Sequence, residues 1–206
     1  MIAGYKYTKF ARELVDHGRV RIGTLYDYRN VAKHGRIVGD LEEGSGETTF
    51  YSVEAQPTVD PLVIMGRQSL LTCYLGGHAA ADRRSKVFKY AIHNVYVFCC
   101  SWKPLTASPT DLGDGCVLIR DIAAFADAVK WHLPSRITHW FADRVVYRPK
   151  RLGVNDGTIP DMPFWKTPDY SWQNEFRVCF VPTDDQIEPV IVESGRIATC
   201  CTLLPQ

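Results

Sequence analysis

Two different periodicities follow one another within the first 25 residues, and together they limit the folds that this chain can adopt. Residues 2–7 have the composition of a short strand, and residues 9–17 carry apolar side chains at helical spacing. Gly18 can then end that helix in a left-handed conformation. Residues 19–25 alternate between apolar and polar side chains, which is typical of a strand. We therefore expect the chain to open with a strand, a helix and a second strand.

Strand-like runs dominate the rest of the sequence. One further helix is expected directly after Asp121, whose side chain can cap it. The Gly-rich and acidic segment 33–46 is expected to be a loop, whereas segments 172–181 and 197–202 are expected to be strands. No repeat or linker divides the chain. The sequence therefore predicts one strand-rich α+β domain over residues 1–206, split into two sheets with a few peripheral helices.

Charge and cysteine content exclude several classes of protein. The chain has 24 Lys and Arg against 23 Asp and Glu, for a formal net charge of +1, so a strongly basic protein that coats nucleic acid is excluded. Seven cysteines include two adjacent pairs, which favours buried, reduced thiols over disulfides. The first residues form no apolar leader and no run of 18 apolar residues occurs, so we expect a cytoplasmic protein that does not enter the membrane.

Common catalytic motifs are missing from the sequence. It contains no Walker A loop, no GxGxxG after a strand, no HExxH and no GxSxG. The six histidines show no spacing typical of metal ligands, so we expect no metal site.

Tyrosines are interleaved with lysine and arginine near the first two expected strands. Such a pattern suits an anionic ligand that carries flat rings, because guanidinium groups bind phosphates and tyrosine faces stack on rings. Gly23 would let a ligand approach the backbone closely. The alternative is a tyrosine-rich strand edge with solvated cations. The predicted ligand-binding residues of this region are Lys6, Tyr7, Thr8, Arg21, Gly23, Thr24, Tyr26, Tyr28 and Arg29.

A carboxamide and a carboxylate lie close together late in the chain. If residues 172–181 form a strand, Gln173, Glu175 and Arg177 share one face of it. A carboxylate there could bind a sugar and stabilise positive charge at an anomeric carbon. The alternative is an edge strand with a Glu175–Arg177 pair on the surface, where Glu175→Gln would leave the fold intact.

Taken together, these motifs resemble the ADP-ribosyltransferase superfamily. Gln173-Asn174-Glu175 looks like its late Gln-x-Glu element, and Ser101, which ends the β-rich run 94–101, stands where the superfamily has a serine. The opening, from Thr8 through Leu25, resembles that of the DNA-targeting ADP-ribosylating toxins. The YKY start and late QNEFR run also resemble a group of uncharacterised bacterial domains. The resemblance spans well under half of the chain.

The resemblance implies an ADP-ribosyltransferase-like fold and transfer of ADP-ribose from NAD, which is a substrate, with loss of nicotinamide. It implies that Glu175 binds the ribose, stabilises the oxocarbenium-like state and helps to deprotonate the acceptor, which Gln173 positions. It assigns Ser101 to the ribose. Either Tyr26 or Tyr28 would stack on nicotinamide. The residues expected to hold the pyrophosphate are Lys6, Arg21 and Arg29.

One position departs from the superfamily. Lys6 stands where those domains have His or Arg on the first strand, and an ammonium donates as a point charge rather than as a fork. Either Lys6 takes that role, or Arg21 or Arg29 supplies the fork, or NAD is not the ligand. We expect Lys6, Arg21, Tyr26 and Glu175 to converge in one cleft.

The resemblance leaves the acceptor open between nucleic acid and protein. It fits a bacterial toxin or phage-defence effector, with an antitoxin-type inhibitor as a further partner. A different hypothesis is a non-catalytic module on the same scaffold that binds nucleotide or nucleic acid. A third is a metal-independent nuclease that uses His34 or His139. The basic residues available for nucleic acid are Arg83, Arg84, Lys86, Arg144, Arg148, Lys150 and Arg151.

Overall fold

The computed structural model describes residues 2–51, 71–76, 85–106, 112–113, 115–153, 162–184 and 186–205. In chain order its elements are β1 (Gly4–Thr8), α1 (Ala11–His17), β2 (Val20–Thr24), α2 (Val31–Val38), β3 (Ser45–Tyr51), β4 (Leu71–Gly76), β5 (Ser85–Ile92), β6 (Tyr96–Ser101), β7 (Gly115–Ile119), α3 (Ile122–Lys130), β8 (Ile137–Arg144), β9 (Val146–Tyr147), β10 (Arg151–Gly153), β11 (Trp165–Lys166), β12 (Glu175–Pro182), β13 (Val190–Val192), α4 (Gly195–Ala198) and β14 (Cys201–Leu203).

A large antiparallel sheet organises these elements. Within the described residues it has eight strands, in the order β13-β2-β6-β1-β7-β14, with β12 paired to both β6 and β8. A smaller sheet has the order β10-β3-β5-β4, and β11 pairs with β9 in a third. The protein is thus a strand-rich α+β fold with few helices, and its main sheet takes strands from both ends of the chain.

Local sequence signals set the ends of two helices. Gly18 ends α1 in the left-handed region, with φ of 65°, and its N–H donates to the carbonyl of Leu14 at 3.0 Å. The carboxylate of Asp121 accepts from the N–H groups of Ala123 and Ala124 at the start of α3. The strand–helix–strand opening and the helix after Asp121 are confirmed.

Apolar side chains cover both faces of the main sheet. Phe98 of β6 and Val178 of β12 point towards α1 and α3, where they pack with Phe125. The alternate residues of the same strands, such as Val97, face the other side and pack with Trp165. This alternation follows from the two-residue period of a strand, and it places Glu175 and Arg177 on the second side.

The predicted loop over residues 33–46 was wrong at both ends, because α2 covers Val31–Val38 and β3 begins at Ser45. The side chain of Asn30 accepts from the N–H of Lys33 and so caps this helix. Gly35, with φ of 69°, breaks the helix in its middle, which explains why Gly-rich composition hid it.

Two predicted strands also have different bounds. Residues 168–173 form a 3-10 turn and Asn174 has φ of 45°, so β12 begins only at Glu175. Residues 195–198 form α4 because the Ser194 side chain accepts from the N–H of Arg196. No described helix has the length and apolar character needed to cross a membrane.

Candidate functional site

The main sheet splits on one side of β6, and the split opens a cleft of about 770 Å³. Val97 pairs with Gly23 of β2 near one end of β6, and Ser101 pairs with Tyr5 of β1 at the other end. Between these two pairs β1 and β2 diverge. The volume lies within the range of roughly 300–1,000 Å³ that is common for ligand pockets.

Lys6 reaches across the split. Its Nζ donates to the carbonyl oxygen of Cys99 at 2.8 Å, in the stretch of β6 between the β2 and β1 pairings. The ammonium therefore occupies a position where a paired strand would offer a backbone N–H.

Eight of the twelve predicted site residues line the cleft. They are Lys6, Tyr7, Thr8, Arg21, Tyr28, Ser101, Gln173 and Glu175. Lining residues that the sequence did not single out as ligand contacts include Lys9, Arg19, His34, Cys99, Lys166 and Arg177. Cationic side chains outnumber carboxylates along these walls, which suits an anionic ligand.

A buried network of charges forms one wall. The guanidinium of Arg177 donates through Nη1 and Nη2 to both oxygens of Glu43, at 2.7 and 2.8 Å, and through Nε to Oε1 of Glu175 at 2.6 Å. The Nζ of Lys166 donates to Oε2 of Glu175 at 2.8 Å and to Oε1 of Gln173 at 3.0 Å. These four charged side chains are at most 6% exposed.

This network keeps Glu175 ionised. Burial alone would raise the pKa of its carboxyl group, but the charges of Arg177 and Lys166 outweigh burial and hold the pKa well below its ordinary value. The pKa of Glu43 is lowered in the same way, against its burial, by Arg177. The two carboxylates raise the pKa of Arg177 despite burial, so the guanidinium also keeps its charge. The predicted surface pair between Glu175 and Arg177 is therefore a buried one.

Ser101 lies directly beside Glu175 on the neighbouring strand. The two residues are register partners in the β6–β12 pairing, so their side chains leave the same face of the sheet about 5 Å apart. The hydroxyl of Ser101 donates to the carbonyl of Lys103 at 2.6 Å.

The opposite wall holds a second charged cluster around Asp27. Its carboxylate, 8% exposed, accepts from Nη2 of Arg21 at 2.5 Å, Nζ of Lys33 at 2.7 Å and Nε2 of His34 at 2.8 Å. Burial favours a higher pKa for Asp27, but Lys33 and Arg21 lower it. Arg21 and His34 line the cleft, so Asp27 holds both of them in place from behind.

Tyr28 fills the floor beside this cluster. Its ring lies 5.5 Å from that of His34, and burial raises the pKa of its phenol well above the ordinary value. A Cβ at Gly23 would lie 2.8 Å from the Tyr28 hydroxyl. Gly23 thus makes room for the Tyr28 ring rather than for a ligand, which corrects its predicted role.

Three further predicted residues lie outside the cleft lining. The hydroxyl of Thr24 accepts from the N–H of Asp27 at 3.1 Å. Tyr26 donates to the carbonyl of Ile92 at 2.8 Å, and the guanidinium of Arg29 covers its ring at 4.0 Å. Arg29 itself donates to the carbonyl of Glu43 at 2.7 Å. Of the four residues expected to converge, Lys6, Arg21 and Glu175 line the cleft, whereas the prediction for Tyr26 was wrong.

The two histidines of the nuclease hypothesis are not brought together. His34 lines the cleft, whereas His139 lies exposed on β8, outside the cleft lining. Among the described residues, no group of three or more His, Cys, Asp or Glu side chains is arranged to hold a metal.

The basic residues predicted for nucleic acid separate as well. Lys150 is 4% exposed and donates inward to the carbonyl of Trp165, so its assignment to a binding surface was wrong. Arg144 is exposed and covers the Trp102 ring at 4.3 Å. Arg83 and Arg84 lie outside the described residues.

No family model, curated protein or solved structure matches this chain. The walls of the cleft are therefore the basis for any statement about its function.

Sequence reasoning missed the partners that fix Glu175. Lys166 follows a tryptophan in a stretch where no strand or helix was predicted, and Glu43 lies in the predicted loop over residues 33–46. Neither position carries a local signal, since Glu43 and Arg177 are 134 residues apart and meet only in the folded chain.

Proposed function

We propose that this chain transfers ADP-ribose from NAD to a macromolecular acceptor, either nucleic acid or protein. The observation that carries the proposal is the ionised Glu175 on the wall of a cleft at the split of the main sheet, beside Ser101. A fixed negative charge at that place would stabilise the positive charge that develops at the ribose anomeric carbon when nicotinamide leaves.

The other walls supply the groups that NAD would need. Lys6 and Arg21 offer charged donors to the pyrophosphate, and Lys9 and Arg19 add cations at the margin. The rings of Tyr7 and Tyr28 offer flat surfaces to nicotinamide or adenine. With Tyr26 and Arg29 outside the cleft, the stacking role passes to Tyr28 and the guanidinium fork to Arg21.

Glu175 acts in this proposal as an electrostatic partner. Both of its oxygens already accept from cations, but a carboxylate has about four lone-pair sites, so a ribose hydroxyl can still bind. Its low pKa makes it a weak acceptor of protons, because general bases work best with a pKa near the working pH. The structure therefore gives no support to the expected role of Glu175 in deprotonating the acceptor.

Glu175→Gln tests the proposal, with Glu43→Gln as the matched control. Each change removes one negative charge from the same buried network, so each should lower stability by about 3 kcal/mol or more. Only Glu175 lines the cleft, so only Glu175→Gln should reduce nicotinamide release from NAD, by roughly 10²–10³-fold. Release is measured with purified protein, with and without cell lysate or nucleic acid, at a temperature where melting curves show both variants folded.

Equal NAD consumption by Glu175→Gln and Glu43→Gln would show that Glu175 is structural. The expectation that Glu175→Gln leaves the fold intact does not hold for a side chain that is 5% exposed between two cations.

The second candidate function is a non-catalytic module that binds nucleotide or nucleic acid. It is favoured because both carboxylate oxygens of Glu175 already bind cations, and these ion pairs can stabilise the fold without any role in catalysis. This alternative predicts calorimetric binding of NAD or ADP-ribose without nicotinamide release in any lysate. Binding should then fall on Lys6→Met and persist in Glu175→Gln.

As an NAD-consuming enzyme, the protein would suit a bacterial toxin or phage-defence effector that acts in the cytoplasm under an antitoxin-type inhibitor. Induced expression in a bacterial host should then lower cellular NAD and arrest growth. Both effects should disappear with Glu175→Gln and remain with Glu43→Gln.

A further inference from the structure

The proposed transfer needs a group that takes the proton of the acceptor. Glu175 is held in its ionised form by two cations, and the cleft offers few other candidates. His34 is the only imidazole among the described residues that line the cleft. Loss of solvent contact raises the pKa of the Cys99 thiol and of the Tyr28 phenol well above the ordinary value of each, which keeps both protonated.

His34 is oriented from behind by a carboxylate. Its Nε2 lies 2.8 Å from Oδ2 of Asp27, and its ring lies 5.5 Å from that of Tyr28. Asp27 is ionised and can only accept, so Nε2 carries a proton, and in the neutral ring the lone pair is then on Nδ1. A base held in one tautomer by a carboxylate is the arrangement found in many hydrolases.

The register of the sheet sets the separation between this pair and Glu175. Arg21, Cys99 and Arg177 lie on the same face of three adjacent strands, with Cys99 opposite Arg177. Neighbouring strands are about 4.8 Å apart, and β2 diverges from β6 beyond Gly23, so Arg21 and Arg177 are separated by at least about 10 Å. Arg21 binds Asp27, which binds His34, while Arg177 binds Glu175. Both His34 and Glu175 line the cleft, so an acceptor can enter between the two.

We infer that His34, positioned by Asp27, is the general base that deprotonates the acceptor, an inference that rests on the proposed function. The acceptor oxygen or nitrogen bonds to the anomeric carbon as the bond to nicotinamide breaks. The electron pair of that bond passes to the nicotinamide ring nitrogen and neutralises its charge. The acceptor proton passes to Nδ1 of His34, and Asp27 stabilises the resulting imidazolium.

His34→Ala tests the inference in an assay of ADP-ribose transfer to the acceptor in a lysate. We expect kcat to fall about 10²–10⁴-fold with little change in the KM for NAD, and added imidazole to restore part of the rate. His139→Gln, on β8 outside the cleft lining, should change neither value. Asp27→Asn should also lower kcat, because it removes the carboxylate that positions His34.

Other outcomes separate the two proposals. Equal transfer by wild type and His34→Ala, or a raised KM for NAD with unchanged kcat, overturns the role of His34 and leaves the transferase intact. A wild-type protein that never releases nicotinamide overturns the transferase itself, and the role of His34 with it.

Discussion

Arg177 connects the two carboxylates on which the candidate site depends. Its planar guanidinium binds Glu43 through two parallel hydrogen bonds and still presents Nε to Glu175. A lysine has a single charged nitrogen and could not present two parallel donors to Glu43 together with a separate donor to Glu175. With Lys166, the network contains two cations and two carboxylates, so its charges cancel in a place with little water. Removal of any one member leaves a buried charge without compensation.

Lys150 is a second buried cation with weaker compensation. It is 4% exposed, and its Nζ donates to the carbonyl of Trp165 at 2.5 Å. Burial lowers the pKa of its ammonium from 10.5 to about 8, although Glu43 and Asp40 oppose the shift. Below pH 8 both the folded and the unfolded chain carry the proton, so the full cost of burying the charge is present.

Lys150→Met should remove a pH dependence of stability above pH 8. In the wild type the folded chain releases the proton before the unfolded chain does, so stability attributable to Lys150 rises between about pH 8 and 10.5. The variant should therefore be more stable than the wild type at pH 7. Its advantage should shrink by about 3 kcal/mol across that window. Urea unfolding of both proteins at pH 7 and pH 10.5 measures the change, and a constant difference would contradict it.

At the scale of elements, Gly18 joins α1 to α4. Its φ of 65° ends α1, and a Cβ at this position would lie 1.9 Å from the carbonyl oxygen of Ser194 and 2.7 Å from the nitrogen of Ala198. The same residue thus sets the end of one helix and the approach of another.

Gly18→Ala should destabilise the fold by more than about 2 kcal/mol. The new side chain would clash with backbone atoms, and a residue with a Cβ also costs free energy in the left-handed conformation. For a chain of this length that corresponds to a fall in Tm of roughly 4–8 °C. Gly195→Ala is the matched control, because nothing lies within 4 Å of its added Cβ. The control should raise stability slightly, by about 0.4–1 kcal/mol. Equal calorimetric melting temperatures for the two variants would argue against this account of Gly18.

Elements were predictable where their signals lie next to each other in sequence. The Gly18 stop and the Asp121 cap act within four residues, and both were identified correctly. The strand expected over residues 197–202 was wrong at its start, where the Ser194 side chain caps α4, and right at its end, where residues 201 and 202 lie in β14. The site depends instead on contacts between residues far apart in sequence. Spacing placed Glu175 and Arg177 on one face, yet gave no indication that Glu43 and Lys166 would bury them.

At the scale of the whole molecule, the buried network links distant parts of the chain. Glu43 precedes β3, Lys166 ends β11, and Arg177 lies in the main sheet, so three separate sheets or their flanking segments meet at one set of charges. Loss of charge there should therefore weaken the fold as a unit rather than one element.

Acid should reveal this dependence. The folded pKa values of Glu43 and Glu175 lie below their ordinary value of 4.5, so the stability they contribute is present above that pH and is lost as pH falls. Glu43→Gln already lacks part of this contribution. Between pH 5 and pH 3 the wild type should lose about 1–2 kcal/mol more than Glu43→Gln in urea unfolding. Parallel losses in the two proteins would show that the network does not govern acid stability.

The bridge from Lys6 to Cys99 has a consequence for how a ligand enters. The pairings of β1 and β2 with this side of β6 join strand to strand, and breaking one would disturb the sheet. An ammonium on a flexible stem can instead rotate away and exchange a carbonyl oxygen for a phosphate oxygen. The hydrogen bond from Lys6 to Cys99 can therefore open for an anion while the strand pairings of the main sheet stay intact.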